Sequence, residues 1–208
     1  MKQTLRIAIL LTFACATLAA FSNFAQAQKI DIAFGGGTTL APQASFVDGV
    51  ESAPSLKGGT FLGFNGDVLF WHNLGFGADV YWRASSANCA LSVCGYSGIT
   101  YRPVFYNFNA VYSPKIAPHA YLELVGGIGA MDTHYSECTG VGVSCGGSQA
   151  ISSSNHFDVD LGGGIKLYLT HGFFIRPEAR YYYINNGTAD YSSNHAARVG
   201  ASIGYTFR

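Results

Sequence analysis

The residue pair best suited to chemistry is His134 and Ser136, two positions apart. Histidine can act as a general base towards a serine hydroxyl, and the activated hydroxyl then attacks an acyl group. Such a histidine needs an acid to orient it, but Asp132 and Glu137 are only its neighbours in sequence. His134 and Ser136 are therefore candidate catalytic residues without a predicted acid, and the chain is not predicted to be an enzyme.

The start of the chain predicts a secretory signal peptide over residues 1–27. Lys2 and Arg6 precede an apolar run over 7–21, and Ala25-Gln-Ala27 forms a cleavage site. The run is shorter than the roughly 20 residues of a spanning helix. Residues 28–208 are then one domain, with ten Lys and Arg against twelve Asp and Glu. This near balance predicts no nucleic-acid partner.

The remaining cysteines form two local pairs. An exported chain meets an oxidising compartment, so the sequence predicts two disulfides within loops: Cys89–Cys94 and Cys138–Cys145. Neither spacing is the two-residue knuckle of a zinc site, and no metal is predicted. The glycine triplets 35–37 and 162–164 are not followed by a helix, so no phosphate loop and no cofactor is expected.

The last residues of the chain alternate strictly between apolar and polar positions. Val199, Ala201, Ile203, Tyr205 and Phe207 share one parity without a charge. A period of two predicts a β-strand with one apolar face and one polar face. The same pattern predicts eight strands: 30–37, 58–71, 74–84, 99–112, 119–133, 156–169, 173–183 and 197–208.

The connections between these strands alternate between long and short. Long loops are expected over 38–57, around Cys89 and Cys94, over 134–155 and after Asn185. Short turns are expected at 72–73, 113–118 and 170–172. This rhythm predicts an all-β fold, an eight-stranded antiparallel up-and-down transmembrane β-barrel after a cleaved signal peptide. Arg102 and Pro103 fit the alternation poorly, so a bulge or a strand end is expected there.

The charges on the polar parity predict which face meets lipid. Four of the five bases are Arg, which suits carboxylates in fixed, partly buried geometry. We therefore expect a lumen ion-pair network of Asp31, Asp67, Asp79, Arg83, Glu123, Asp158, Asp160, Lys166, Arg176, Glu178, Arg180 and Arg198. A soluble lipocalin would instead line its cup with the apolar face. Aromatic residues near the strand ends of the apolar parity favour the membrane barrel.

The C-terminal strand resembles the signal by which outer-membrane barrels are recognised for insertion. Gly200 is followed by Ile203 and Tyr205, with Phe207 one pleat further; Arg208 is a departure from an aromatic end. With segments 101–114 and 124–129, the chain is similar to the small eight-stranded outer-membrane barrel family, like the transmembrane domain of outer-membrane protein A, without a peptidoglycan-binding domain. The resemblance implies the bacterial outer membrane, contact with its lipids and lipopolysaccharide, and barrel-assembly machinery as a partner during insertion.

The expected function follows from the size of the barrel. Eight strands enclose a lumen that side chains can fill, so a plugged barrel is expected, presenting four loops to an unknown extracellular partner in a structural, adhesion or surface-interaction role. One alternative is a narrow ion-conducting channel. A second is an outer-leaflet lipid A-modifying hydrolase, because the His134 and Ser136 pair is similar to the His-x-Ser pair of lipid A deacylases, although that family's flanking residues are missing.

Overall fold

A computed structural model of the chain describes residues 29–43, 45–47, 50–88, 99–138, 148–186 and 191–207. The predicted signal peptide lies outside these residues, as do Cys89, Cys94 and Cys145 and the side chain of Cys138. Both predicted disulfides therefore stay predictions.

The described chain consists of twelve β-strands joined by turns and loops, and it contains no helix able to cross a membrane. Eight strands build one barrel: β1 (Lys29–Leu40), β4 (Thr60–Trp71), β5 (Leu74–Arg83), β7 (Ile99–Tyr112), β9 (Ala120–Cys138), β10 (Ser148–Tyr168), β11 (Phe173–Ile184) and β12 (His195–Phe207). Four short strands lie in the connections: β2 (Ser45–Val47), β3 (Val50–Ala53), β6 (Ala87–Asn88) and β8 (Lys115–Ala117).

The barrel closes because its first and last strands pair. Each strand is antiparallel to the next, and β12 returns to β1 with Ile32 opposite Tyr205 and Phe34 opposite Ile203. Gly37 faces Gly200 in this seam. A Cβ on Gly37 would collide with the carbonyl oxygen of Val199, so only glycine permits this close approach of the two backbones. The predicted all-β fold, an eight-stranded antiparallel up-and-down barrel, is confirmed.

The first short turn shows how the sequence sets the register of a hairpin. His72 and Asn73 have φ values of 46° and 67°, as both central residues of a type I′ turn require. The twist of that turn matches the right-handed twist of β4 and β5. The backbone amide of Ser113 donates to the carbonyl of Asn73 over 2.8 Å, which ties this turn to the next connection.

Two local predictions differ from the structure in part. Towards β9, β7 runs through Arg102 and Pro103 in continuous register, so the predicted bulge or strand end is absent on that side. Towards β5, the pairing does end at Val104, and the short β6 pairs with β7 beyond it. The predicted loop 134–155 is largely strand: β9 continues to Cys138 and β10 starts at Ser148. Register shifts of the barrel strands lie between Leu69 and Trp71 of β4 and between Ala150 and Ser152 of β10.

Candidate functional site: the filled lumen and the outer rim

Alternation places the charged side chains of the polar parity inside the barrel. Lys166 on β10 is 1% exposed, and its ammonium lies 2.5 Å from the Asp31 carboxylate on β1. It also contacts Glu123 on β9 and lies 3.8 Å from Asp67 on β4. A single ammonium therefore connects strands on opposite sides of the lumen.

Arg176 on β11 lies next to this cluster and is fully buried. Its guanidinium contacts Glu123, lies 3.7 Å from Asp67 and 2.8 Å from Glu178. Its Nε donates to the Ser202 hydroxyl over 3.1 Å. This planar fork satisfies several acceptors in fixed directions, which a lysine ammonium cannot do in the same way.

Arg198 and Arg180 continue the network towards the long-loop end. Arg198 lies 3.1 Å from Glu178 and stacks on the ring of Tyr81, whose centroid is 3.3 Å from the guanidinium carbon. Arg180 lies 2.8 Å from both Asp79 and Asp160. Each guanidinium thus joins carboxylates or rings from different strands.

Two of the expected lumen charges have another environment in the described residues. Arg83 forms no ion pair there, and its guanidinium lies 5.9 Å from the centre of the Tyr101 ring. Asp158 contacts no cation there and instead accepts a hydrogen bond from the Asn107 amide over 2.5 Å. Both side chains lie towards the long-loop end, where aromatic residues fill the lumen.

The aromatic layer above the ion pairs was missed by sequence reasoning. It is a cluster of buried residues that we call the apolar plug: Leu56, Phe61, Ile99, Tyr101, Phe105, Met131, Tyr182, Ile184, Tyr191 and Ala196. The rings of Phe105 and Tyr182 lie 4.7 Å apart. The sequence does contain a sign of this cluster, because Phe61, Phe105 and Tyr182 share the parity of the charged lumen residues. The charges on that parity predict ion pairs but do not predict that the rings meet.

Segments outside the barrel strands close the apolar plug from above. The Tyr191 hydroxyl donates to the hydroxyl of Thr133, and burial raises the pKa of Tyr191. The Asn186 amide donates to the Tyr191 carbonyl over 2.7 Å. The Tyr101 hydroxyl donates to the Ser55 carbonyl over 2.7 Å. Loop segments near residues 55 and 191 are therefore anchored to the barrel wall by hydrogen bonds.

His134 and Ser136 lie on β9 rather than in a loop. The Nε2 of His134 lies 3.4 Å from the carboxylate of Asp132, so Asp132 is a spatial partner and not only a sequence neighbour. Asp132, His134 and Ser136 follow one another on the same face of β9, because alternate residues of a strand share a face. An acid, a base and a hydroxyl are thus aligned on one strand.

The outer surface of the barrel is apolar around its whole circumference. Large hydrophobic side chains are exposed on all eight barrel strands, among them Ile32, Phe64, Phe76, Phe108, Ile128, Leu161, Ile175 and Ile203. A protein in water rarely exposes a continuous apolar surface of this extent. Buried charges inside and a hydrophobic belt outside suit a barrel embedded in lipid. Fold and surface together define an integral outer-membrane β-barrel, located in the bacterial outer membrane.

Comparisons with known proteins agree with this class. No protein-family model matches the chain, and no curated protein matches it. The structure is similar to that of Ail, the attachment invasion locus protein of Yersinia pestis, in complex with the heparin analogue sucrose octasulfate, with a TM-score of 0.55, 13% identity, and coverage of 86% of this chain and 99% of Ail. It is also similar to a major outer membrane protein from Thermus thermophilus, with a TM-score of 0.56, 13% identity, and coverage of 88% and 100%. At these identities the likeness shows the fold alone.

Proposed function

We propose that this protein is a plugged outer-membrane barrel that acts through the surface at its long-loop end. The observation that carries the proposal is that the lumen is filled at two levels. Lys166 and Arg176 bridge the lumen with buried ion pairs, and the apolar plug lies above them. Side chains occupy the space that a diffusing solute would need, which leaves the outer surfaces for function.

The long-loop end offers a projecting structure suited to contact. About 9–11 residues of tilted strand cross a bilayer. β9 has 19 residues and β10 has 21, and their pairing extends to Cys138 opposite Ser148. In outer-membrane barrels the long loops are extracellular and the short turns periplasmic. The two strands therefore extend past the lipid as a paired hairpin, which supports a structural, adhesion or surface-interaction role.

The partners of this surface belong to the same proposal. Lipopolysaccharide and other outer-membrane lipids would surround the belt, barrel-assembly machinery would act during insertion, and an extracellular partner would contact the hairpin. Heparin is a reasoned first probe, because Ail forms a complex with a heparin analogue.

The experiment replaces residues 139–147 by a short Gly-Ser linker in the barrel displayed on bacterial cells. Binding to immobilised heparin and adherence to cultured cells are compared with the wild type. The matched control is Thr170→Gly, a change in a short turn at the opposite end. We expect the linker variant alone to lose binding. Equal binding by wild type and linker variant would overturn a hairpin-borne role.

A second candidate function is hydrolysis of an acyl ester at the outer leaflet. The observation that favours it is the 3.4 Å contact between His134 and Asp132, with Ser136 next on the same face. In this role Asp132 would orient His134, which would take the hydroxyl proton of Ser136 as that oxygen attacks the ester carbonyl. The ester C–O bond would then break, the leaving alcohol would take the proton from His134, and water would hydrolyse the acyl-serine to release the fatty acid. Purified barrel is incubated with lipid A, and released fatty acid is measured for the wild type and for Ser136→Ala. Release of fatty acid by the wild type and not by Ser136→Ala would establish this activity. No release by either protein would rule it out.

A further inference from the structure

The short-turn end of the barrel has a pocket between two of its turns. Its volume is about 370 Å³, and residues of 115–121 and 168–171 line it. The Tyr168 amide donates to the His119 carbonyl over 2.8 Å, and the Leu122 amide donates to the Pro114 carbonyl over 3.0 Å. The first hydrogen bond joins the two turns and the second closes the turn between β7 and β9, so the pocket is part of the folded barrel.

Three of the eight residues that line this pocket have basic side chains. Lys115, His119 and His171 are exposed and line it, and none of the three side chains forms a hydrogen bond or ion pair with any described residue. A second ammonium is close by, since Lys29 Nζ lies 5.2 Å from the centre of the Tyr121 ring. The described residues of this rim, 29–31, 70–75, 112–121, 167–174 and 205–207, include one acid, Asp31, which is buried inside the barrel and paired with Lys166.

The donors of the pocket match a group with several acceptor oxygens. A lysine ammonium has three N–H donors and no acceptor, and a histidine ring offers one or two N–H donors. The hydroxyl of Thr170 in the same lining can also donate. Phosphate accepts such bonds on several oxygens, and hydrogen bonds between charged partners are stronger than neutral ones.

The position of the pocket relative to the membrane favours a lipid headgroup over free phosphate as its ligand. Leu169 lines the pocket and is 65% exposed, and Ile116 in the facing turn is 56% exposed. Apolar side chains exposed beside a basic pocket mark the boundary between acyl chains and water. Short turns of such barrels face the periplasm, so phospholipid headgroups of the inner leaflet lie at this height. No acid is exposed on the described rim, which disfavours a headgroup that carries its own cation.

We propose that the pocket lined by Lys115, His119 and His171 binds the phosphate of an anionic phospholipid of the inner leaflet. The test uses the full mature barrel, purified in detergent with phosphatidylglycerol or phosphatidylcholine, and native mass spectrometry counts the lipids retained per barrel. The variant Lys115→Gln/His119→Gln/His171→Gln removes the basic lining. The control His72→Gln/Lys57→Gln removes exposed basic groups that do not line the pocket.

We expect the wild type and the control to retain one phosphatidylglycerol in preference to phosphatidylcholine, and the triple variant to bind it at least about tenfold more weakly. All the side chains changed in these variants are exposed, and heat-modifiable electrophoresis verifies that each variant is folded. Equal retention of the two lipids by the wild type, or unchanged retention by the triple variant, would overturn the proposal. A separate titration with inorganic phosphate distinguishes the source: saturation by phosphate without retention of phosphatidylglycerol would overturn the lipid assignment.

Discussion

The ammonium of Lys166 lies 2.5 Å from the carboxylate of Asp31, although 135 positions separate the two residues in the chain. Lys166 is on β10 and Asp31 is on β1, so the contact crosses the lumen and depends on closure of the barrel. Removing one partner of a buried pair leaves an uncompensated charge, which is more costly than loss of an exposed pair.

The first prediction concerns this lysine. Lys166→Met should lower the free energy of unfolding by about 3–5 kcal/mol, because Asp31 and Glu123 would be left buried without their ammonium. Urea unfolding in detergent, followed by the heat-modifiable band shift, measures the change. Lys57→Met is the control, since Lys57 is exposed. A stability equal to that of the control would contradict the prediction.

The second prediction compares two buried acids of the lumen. Glu178 lies 2.8 Å from Arg176 and 3.1 Å from Arg198, whereas Asp158 contacts no cation among the described residues. Glu178→Gln should therefore destabilise the barrel by about 2–4 kcal/mol, and Asp158→Asn by less than about 1 kcal/mol, since an amide replaces a carboxylate without orphaning a cation. Urea titrations of the two variants in the same detergent give the difference. A larger loss for Asp158→Asn would show that the ion pairs do not determine stability.

The third prediction concerns ion conduction. The ion pairs and the apolar plug fill the lumen at different heights along the barrel axis. A substitution that removes part of the apolar plug should therefore leave the lumen closed by the ion pairs. Wild type and Phe105→Ala should both show no steady conductance in planar bilayers, although Phe105→Ala should be less stable by about 3–5 kcal/mol because its ring is buried against Tyr182. Steady conductance of the wild type would favour the narrow ion channel over the plugged barrel.

The sequence was sufficient to predict the barrel because the alternation identifies each strand and also separates its two faces. Asp160 is charged and faces the lumen, whereas its neighbour Leu161 is apolar and faces outward. The same alternation continues along most of β10 and β11. The apolar plug was not predicted, because Phe105 and Tyr182 share the inward parity with charges and only the closed barrel shows that their rings meet. The contact of Asp132 with His134 was missed because the segment after residue 133 was interpreted as a loop. Once that segment is strand, residues two apart share one face.

The fourth prediction concerns the cysteines. Cys138 ends β9, opposite Ser148 at the end of its pairing with β10. We expect Cys138–Cys145 and Cys89–Cys94 to be disulfides, because local pairs in an exported protein meet an oxidising compartment. Non-reduced peptide mapping by mass spectrometry identifies the linked peptides. Free thiols at all four positions, or linkage between the two loops, would contradict the local pairing.

The fifth prediction tests the closing strand, whose Gly200, Ile203, Tyr205 and Phe207 form the proposed insertion signal. A Cβ on Gly200 would collide with the carbonyl oxygen of Gly36 in the seam between β1 and β12. Gly200→Val should therefore prevent closure, and little heat-modifiable barrel should be recovered from membranes. Gly126→Ala is the matched control, because a Cβ there would meet only ordinary contacts, 3.5 Å from Leu161 and 3.8 Å from the Asp160 carbonyl. Normal amounts of folded Gly200→Val barrel would show that the seam tolerates a side chain.

Phe207→Ala separates recognition by the assembly machinery from closure of the barrel. The side chain of Phe207 is half exposed on the outer surface, so slower insertion in cells with normal refolding in detergent would assign it to recognition.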